Sequence, residues 1–210
     1  MTPQIKSLNI GKTKELIWNN EIVRTGIFKH PVEGKRKVSL TQIEGDQQAD
    51  LKNHGGETKA VYSYDLSFYD YWNNLLERNP LNPGMFGENL TTINLADESV
   101  NVGDIFKVGT AIVQALHPRL PCWKLNLRFS DKTFLKKFHT AQNFGIYFKV
   151  IEPGEIENNL PIDLIEKSKD NFTIQDLTNC FTSKERNANT VAQILKNTIL
   201  PDNFKSAFTK

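Results

Sequence analysis

The chain has only two cysteines, Cys122 and Cys180, in 210 residues, and their contexts differ. So few thiols exclude a disulfide framework and an iron–sulfur cysteine set, and they fit a reducing compartment. No run approaches the roughly 18 apolar residues that span a bilayer, and Met1 to Leu16 lacks the apolar stretch of an export signal. Neither membrane insertion nor secretion is expected, which places the protein in the cytoplasm. An excess of one charge is also missing: 26 Lys and Arg face 24 Asp and Glu, a net charge of +2 that gives no basic field for nucleic acid. Internal repeats, low-complexity tracts and the glycine fingerprint of dinucleotide-binding folds are absent too. What remains is an ordinary soluble composition, 39% hydrophobic and 24% charged. It is long enough for one large domain, or a domain with a small appendage.

The first three-quarters read as short strands broken by turns. Ile5 to Ile10, Lys14 to Ile17 and Glu21 to Arg24 come first, with Asn19-Asn20 as a two-residue hairpin turn because asparagine tolerates positive φ. Ile27 to Lys29, Lys37 to Leu40, Ile105 to Val108, Ala111 to Leu116, Phe144 to Ile151 and Ile162 to Glu166 continue the pattern. So many short strands predict a mainly β fold, a closed or nearly closed barrel with one or two inserted helices. Leu66, Tyr69, Trp72 and Leu76 recur at helical spacing behind Asp65, a plausible N-cap, and their aromatics read as core. Residues 1–168 form the predicted barrel domain and 169–210 a small three-helix segment. That segment opens on Thr173-Ile174-Gln175-Asp176, a capping-box pattern, and continues with Val191, Ile194, Leu195 and Ile199 on one face. Three such short helices cannot bury their apolar faces alone and must pack on the barrel, a second subunit or another protein. A docking or lid role, outside the chemistry, is expected of them.

The segment His117-Pro118-Arg119-Leu120-Pro121-Cys122-Trp123-Lys124 carries the sharpest chemical signal. Two prolines fix φ and remove donors, predicting an exposed or cleft-lining loop. Arg119 and Lys124 flank the sulfur, and nearby cations favour a nucleophilic, metal-binding thiolate. Cys180, on a predicted helix, reads as core. His54-Gly55-Gly56-Glu57-Thr58-Lys59 is a second candidate: paired glycines let backbone N–H groups approach an anion, and Lys59 adds charge suited to phosphate. A tight turn accounts for the same glycines. His30 and His139 read as surface residues, and His117 as a cap on the proline loop.

In order along the chain, Glu44-Gly45-Asp46, His54-Gly55-Gly56 with Lys59-Ala60, Gly87-Glu88-Asn89-Leu90, Gly103-Asp104 and Pro118 to Lys124 resemble the MOSC domain family. That family is named for the C-terminal domain of molybdenum cofactor sulfurase. The resemblance runs from about Gly11 to Glu166. Thr25-Gly26-Ile27-Phe28-Lys29 with Pro31-Val32-Glu33-Gly34, and the helical tail, resemble its stand-alone YiiM-type branch.

This resemblance implies a β-barrel that binds the molybdenum cofactor, molybdopterin, a pterin dithiolene with a terminal phosphate. Cys122 would ligate the metal, since soft thiolate suits it. Lys29, Lys59, Arg119 and the Gly55-Gly56 backbone would balance the anionic cofactor, with Arg119 able to grip phosphate bidentately. The three cations should converge on one cleft beside Cys122. Asn89 would hydrogen-bond the pterin or substrate. His54 is either a proton donor near the metal or a turn residue fixing the glycine pair, and Asp46 either orients a basic residue or closes a turn.

The implied activity is reduction of N-hydroxylated small molecules, hydroxylamino-purines included, with electrons from a separate donor protein; a homodimer stays open. Two alternatives remain. Cys122 could carry a persulfide for sulfur delivery, or act as a hydrolytic nucleophile with His54 or His117 as base. Pyridoxal phosphate, bound by another domain of the full sulfurase, is not expected in a chain this short.

Overall fold

In the computed structural model, residues 2–51, 55–77, 80–169 and 172–209 are described. Eight strands form one sheet: β1 (Gln4–Ile10), β4 (His30–Pro31), β6 (Val61–Asp65), β7 (Leu90–Ile93), β8 (Ile105–Val108), β9 (Ala111–Pro118), β10 (Ile146–Glu152) and β12 (Ile162–Glu166). Their order is β12-β8-β9-β10-β6-β7-β1-β4. Two small ribbons stand apart, the hairpin of β2 (Lys14–Trp18) with β3 (Glu21–Thr25), and β5 (Arg36–Val38) with β11 (Gly154–Ile156). The hairpin turns at Asn19 and Asn20, with φ of 51° and 65°, as the dipeptide demands.

The sheet is mixed and open. β6 and β7 pair in parallel and every other neighbouring pair in it is antiparallel. Parallel neighbours need a crossover, and helix α1 (Leu66–Leu76) lies in the one that links them. The expected barrel does not close as a strand ladder. β1 reaches the approach to β12 through a single bridge, Gln4 to Pro161, flanked by bonds from Ile5 N to Leu160 O (3.0 Å) and from Ile162 N to Pro3 O (2.8 Å). Beyond that bridge, and a bond from Asn159 N to Ile5 O (2.8 Å), β12 pairs along β8 alone.

Among the described residues three α-helices are inserted between the strands, where one or two were expected: α1, α2 (Lys124–Phe129) and α3 (Phe134–Ala141). The last two are short, and their signal is a pair of apolar residues four apart, Leu125 with Phe129 and Phe134 with Phe138, all buried. α1 starts where Asp65 accepts from the Ser67 N–H at 3.0 Å. Its Tyr69 and Trp72 join Tyr64, Phe86, Phe129, Phe134, Phe138 and Phe144 in an aromatic core, where Trp72 Nε1 donates to the Tyr64 hydroxyl at 2.8 Å. These rings are packing, as the spacing implied.

A second, mainly aliphatic core fills the sheet's other side. α4 (Ile174–Thr182), α5 (Ala188–Lys196) and α6 (Asp202–Lys205) close it with Ile174, Leu177, Cys180, Ile194 and Phe204, and Phe208 joins them from the 3-10 turn Ser206–Phe208. Thr173 and Asp176 make the reciprocal capping box that opens α4. The tail therefore packs on the sheet. Leu195, placed on the apolar face by spacing, is 38% exposed.

Candidate functional site

The proline segment is not wholly a loop. His117 and Pro118 end the central strand β9, where a missing donor costs nothing because the ladder stops, and Lys124 begins α2. Only residues 119–123 span the gap, with the Arg119 N–H holding the Gly145 carbonyl at 3.1 Å.

Strand register assembles the floor of the site. Tyr147 on β10 lies opposite His117 on β9 and opposite Tyr62 on β6, so three residues distant in sequence form one row. The Tyr62 and Tyr147 rings sit 5.3 Å apart, and the Arg119 guanidinium lies 5.3 Å from the Tyr62 ring centroid. Around this row the loops after β3 and β5 and before β7 supply Thr25, Gly26, Gln47, Gln48, Gly87 and Asn89. Lys29, Lys59, Arg119, Cys122 and Lys124 line the same cleft. At Gly26 an added Cβ would collide with the Gln47 carbonyl, so the two loops can cross this closely only with glycine there.

The cations differ in how they are held. Lys29 is buried and pairs with Asp46; burial outweighs that attraction and lowers its pKa. Asp46 also accepts from the Gly11 N–H at 2.9 Å and from Asn89 Nδ2 at 3.0 Å, so it both orients a base and fixes a turn. Lys59, on the turn Glu57–Lys59, has its pKa lowered by partial burial, opposed by Asp50. Arg119 is 5% exposed and has no carboxylate partner among the described residues, and its Nη1 has no hydrogen-bond partner. Burial alone would pull its pKa down, but Tyr62, Tyr147 and Cys122 outweigh that and leave it raised. Burial raises the pKa of both tyrosine hydroxyls, so at neutral pH they keep their protons and the guanidinium faces the cleft with its charge uncompensated.

Asn89 lines the cleft with its amide committed elsewhere. Its Nδ2 donates to Asp46 and to the Asn9 carbonyl (3.4 Å), and its Oδ1 accepts from the Tyr62 N–H (3.2 Å). Both of its donors are engaged, so a bond to a pterin or substrate would be one accepted by Oδ1. Gly55 and Gly56 lead into the turn that carries Lys59 and do not line the cleft. His54 lies outside the described residues. His30 and His139 are exposed, as read from sequence. His117 is the surprise: it is 2% exposed, Nδ1 lies 2.9 Å from the Pro118 carbonyl, and Phe204 stacks on its ring at 4.6 Å. Tyr62 and Tyr147 went unread because only strand pairing brings them to Cys122.

Two buried groups beside this framework titrate in opposite senses. Asp97 accepts from the Phe144 (3.2 Å) and Gly145 (3.0 Å) N–H groups, yet burial lifts its pKa to about 7. Burial lowers the His117 pKa to about 4. Folded Asp97 keeps a proton that the unfolded carboxyl releases above pH ~4, so its contribution to stability falls as pH rises towards 7. Folded His117 lacks a proton that the unfolded imidazole holds below pH ~6.5, so its contribution rises over the range from about 4 to ~6.5. Each slope is about 1.4 kcal/mol per pH unit, and the two oppose one another. Asp97→Asn should therefore gain on the parent by about that amount per unit between pH ~4.5 and ~6.5, levelling off above ~7. Chemical denaturation across this range checks it; a pH-independent difference between the two proteins would refute the assignment.

The cleft gathers one thiol, four cations and the Asp50 carboxylate on an open mixed sheet. Residues 50–163 match the MOSC domain. The chain is 34% identical over 206 residues to the uncharacterized protein YflK of Bacillus subtilis, covering 98% of this chain and 93% of that one. It is also 31% identical over 189 residues to a protein named "Reductase" from Gibberella moniliformis, covering 87% of this chain but 33% of the relative. The crystal structure of YiiM from Geobacillus stearothermophilus superposes with a TM-score of 0.83 at 30% identity, over 99% of this chain and 97% of YiiM. The chain thus belongs to the MOSC domain family and is of YiiM type. Among the described residues no helix is long and apolar enough to cross a membrane.

Proposed function

We propose that the protein is a molybdenum-cofactor-dependent reductase of N-hydroxylated compounds, with Cys122 as the protein's ligand to the metal. The observation that carries this is Arg119: a buried cation with an unpartnered nitrogen, in the same cleft as an accessible thiol. A buried unpaired charge is costly, and an anionic ligand is what removes the cost. Among the described residues no cluster of three or more His, Cys, Asp or Glu could hold a bare metal ion. A lone thiolate therefore suits a metal that brings its other ligands in an organic cofactor. The family and the relative named "Reductase" support the reading.

In this scheme Arg119 binds the anionic part of the cofactor, Lys124 and Lys59 add charge at the rim, and the Lys29–Asp46–Asn89 network holds the wall rigid. When bound, the reduced cofactor supplies the two electrons that break the N–O bond. Two protons complete the conversion of R–NHOH to R–NH2 and water. We assign release of one of them to Lys59, which lines the cleft and has its pKa lowered by burial. A separate cytoplasmic protein supplies the electrons. The Nε2 of His117 bonds nothing, so a thiol–imidazole pair of the hydrolytic kind is not formed with this histidine.

Metal and sulfur analysis of freshly purified protein tests the proposal. Stoichiometric molybdenum is expected. Persulfide at Cys122 without metal would replace this function with sulfur transfer, and neither would point to hydrolysis.

A further inference from the structure

Two carbonyls of one dipeptide hold the cationic cleft from behind. The Phe144 carbonyl accepts from the Tyr62 hydroxyl at 2.8 Å, and the Gly145 carbonyl accepts from the Arg119 N–H at 3.1 Å. Tyr62 and Arg119 line the cleft, whereas Phe144 and Gly145 do not. Both N–H groups of the same dipeptide point to a single atom, Asp97 Oδ2, at 3.2 and 3.0 Å. All four polar backbone groups of Phe144-Gly145 are therefore committed, two to the site and two to one carboxyl group.

The dipeptide has little freedom to move. Successive N–H groups converge on one acceptor where the backbone bends sharply, and Gly145 supplies the bend with φ of 73°. A Cβ there would lie 2.3 Å from the Ser63 carbonyl oxygen and 2.8 Å from the Tyr62 ring, so the link presses directly on β6, the strand that carries Tyr62. Asp97 opens the turn Asp97–Ser99 and is 1% exposed. Its Oδ1 has no partner, and among the described residues its side chain accepts these two bonds alone. Arg119 in turn is held by its N–H on Gly145 and by the Tyr62 ring, 5.3 Å from the guanidinium. Both supports lead through the dipeptide to Asp97.

We propose that Asp97 is the positioning residue of the cleft's buried arginine, acting through Phe144-Gly145 on the Arg119 backbone and on the Tyr62 ring. The proposal rests on the function proposed above in taking Arg119 as the group that binds the anionic part of the cofactor. Asp97→Ala leaves two buried N–H groups without an acceptor, which frees the dipeptide. Asp97→Asn puts a carbonyl oxygen in the place of Oδ2 and its amide in the place of Oδ1, so both bonds persist.

Full-length, cofactor-free protein labelled with nitrogen-15 gives two readouts. One is hydrogen exchange of the Arg119 amide relative to the amides of β9, and the other is titration with inorganic phosphate as the anionic probe. In Asp97→Ala the Arg119 amide should exchange about tenfold faster on this relative scale, and phosphate should bind about tenfold more weakly. Asp97→Asn should bring both within about threefold of the parent. Cys180→Ser, destabilised in the core on α4, should move neither. If Asp97→Ala does not fold, Tyr62→Phe takes its place: it keeps the ring, removes the hydroxyl that holds Phe144, and should also speed Arg119 exchange and weaken phosphate binding. Unchanged Arg119 exchange in the variant used overturns the positioning role and leaves Arg119 as the anion ligand. Faster exchange with phosphate affinity intact, or no recovery in Asp97→Asn, overturns it too and makes Asp97 a scaffold residue. Phosphate that binds Arg119→Met as tightly as the parent, or does not bind the parent, defeats the role of Arg119 itself and the positioning role with it.

Discussion

Cys122→Ser protein is expected to purify folded, free of molybdenum, and with turnover of N-hydroxylated substrates reduced by at least about 10³-fold. The side chain is half-buried in the short link between β9 and α2, and serine has nearly its shape, so packing is little disturbed. Chemistry changes far more, because a neutral hydroxyl does not replace thiolate as a soft-metal ligand. Cys180→Ser is the matched control. It sits in the aliphatic core on α4, so it should cost about 1–3 kcal/mol by burying a hydroxyl while leaving metal content and turnover intact. Elemental analysis, thermal unfolding and turnover measured on the same preparations separate the two effects. Full molybdenum occupancy in Cys122→Ser would remove the cysteine from the metal site.

Arg119→Met should produce opposite effects on function and on stability. The parent buries a guanidinium with an orphaned nitrogen and no carboxylate partner among the described residues. Methionine of similar length removes that cost, although the contact with the Tyr62 ring and the interaction with Tyr147 go with it. Cofactor-free Arg119→Met is therefore expected to unfold at a temperature equal to or above that of the cofactor-free parent. Cofactor retention should fall by about 10²-fold, the loss of a charge-assisted, desolvated contact worth about 3 kcal/mol. Arg119→Lys should recover only part of this, because an ammonium keeps the charge and loses the planar fork. The loaded parent should also be more thermostable than its own cofactor-free form, as ligand binding to the native state requires. A strongly destabilised Arg119→Met that still purifies with full cofactor would assign the arginine to the scaffold.

Features governed by neighbouring residues were legible in the sequence. The Asn19-Asn20 turn, the Asp65 cap and the Thr173–Asp176 capping box depend on backbone preferences within four residues, and each occurs where the composition demands it. Strands β1, β2, β3, β8 and β12 lie within a residue of their predicted limits for the same reason. The central strands β6 and β7 were missed because they are buried and carry mixed residues, Val-Tyr-Ser-Tyr-Asp and Leu-Thr-Thr-Ile, without clean alternation. Thr92 bonds Asp65 across the two strands, while the buried Ser63 hydroxyl has no partner.

Sequence by itself determined that this is a MOSC protein with one chemically exposed thiol, because five short motifs in order constrain a family more tightly than any one constrains a fold. The shared cleft of Lys29, Lys59, Arg119 and Cys122 was an expectation carried by that resemblance, and tertiary structure supplied the difference between its members. Lys29 is paired with Asp46, the Asn89 donors are spent on the scaffold, and Arg119 keeps a nitrogen without a partner. Tertiary structure alone decided that β1 meets the approach to β12 through a single bridge and that His117 is buried beneath Phe204, 87 positions further along the chain. The physical reason is common to all of these. Burial and electrostatic pairing are set by which groups meet across the fold, and local backbone preference contains no term for partners brought together only when the sheet and its terminal helices pack.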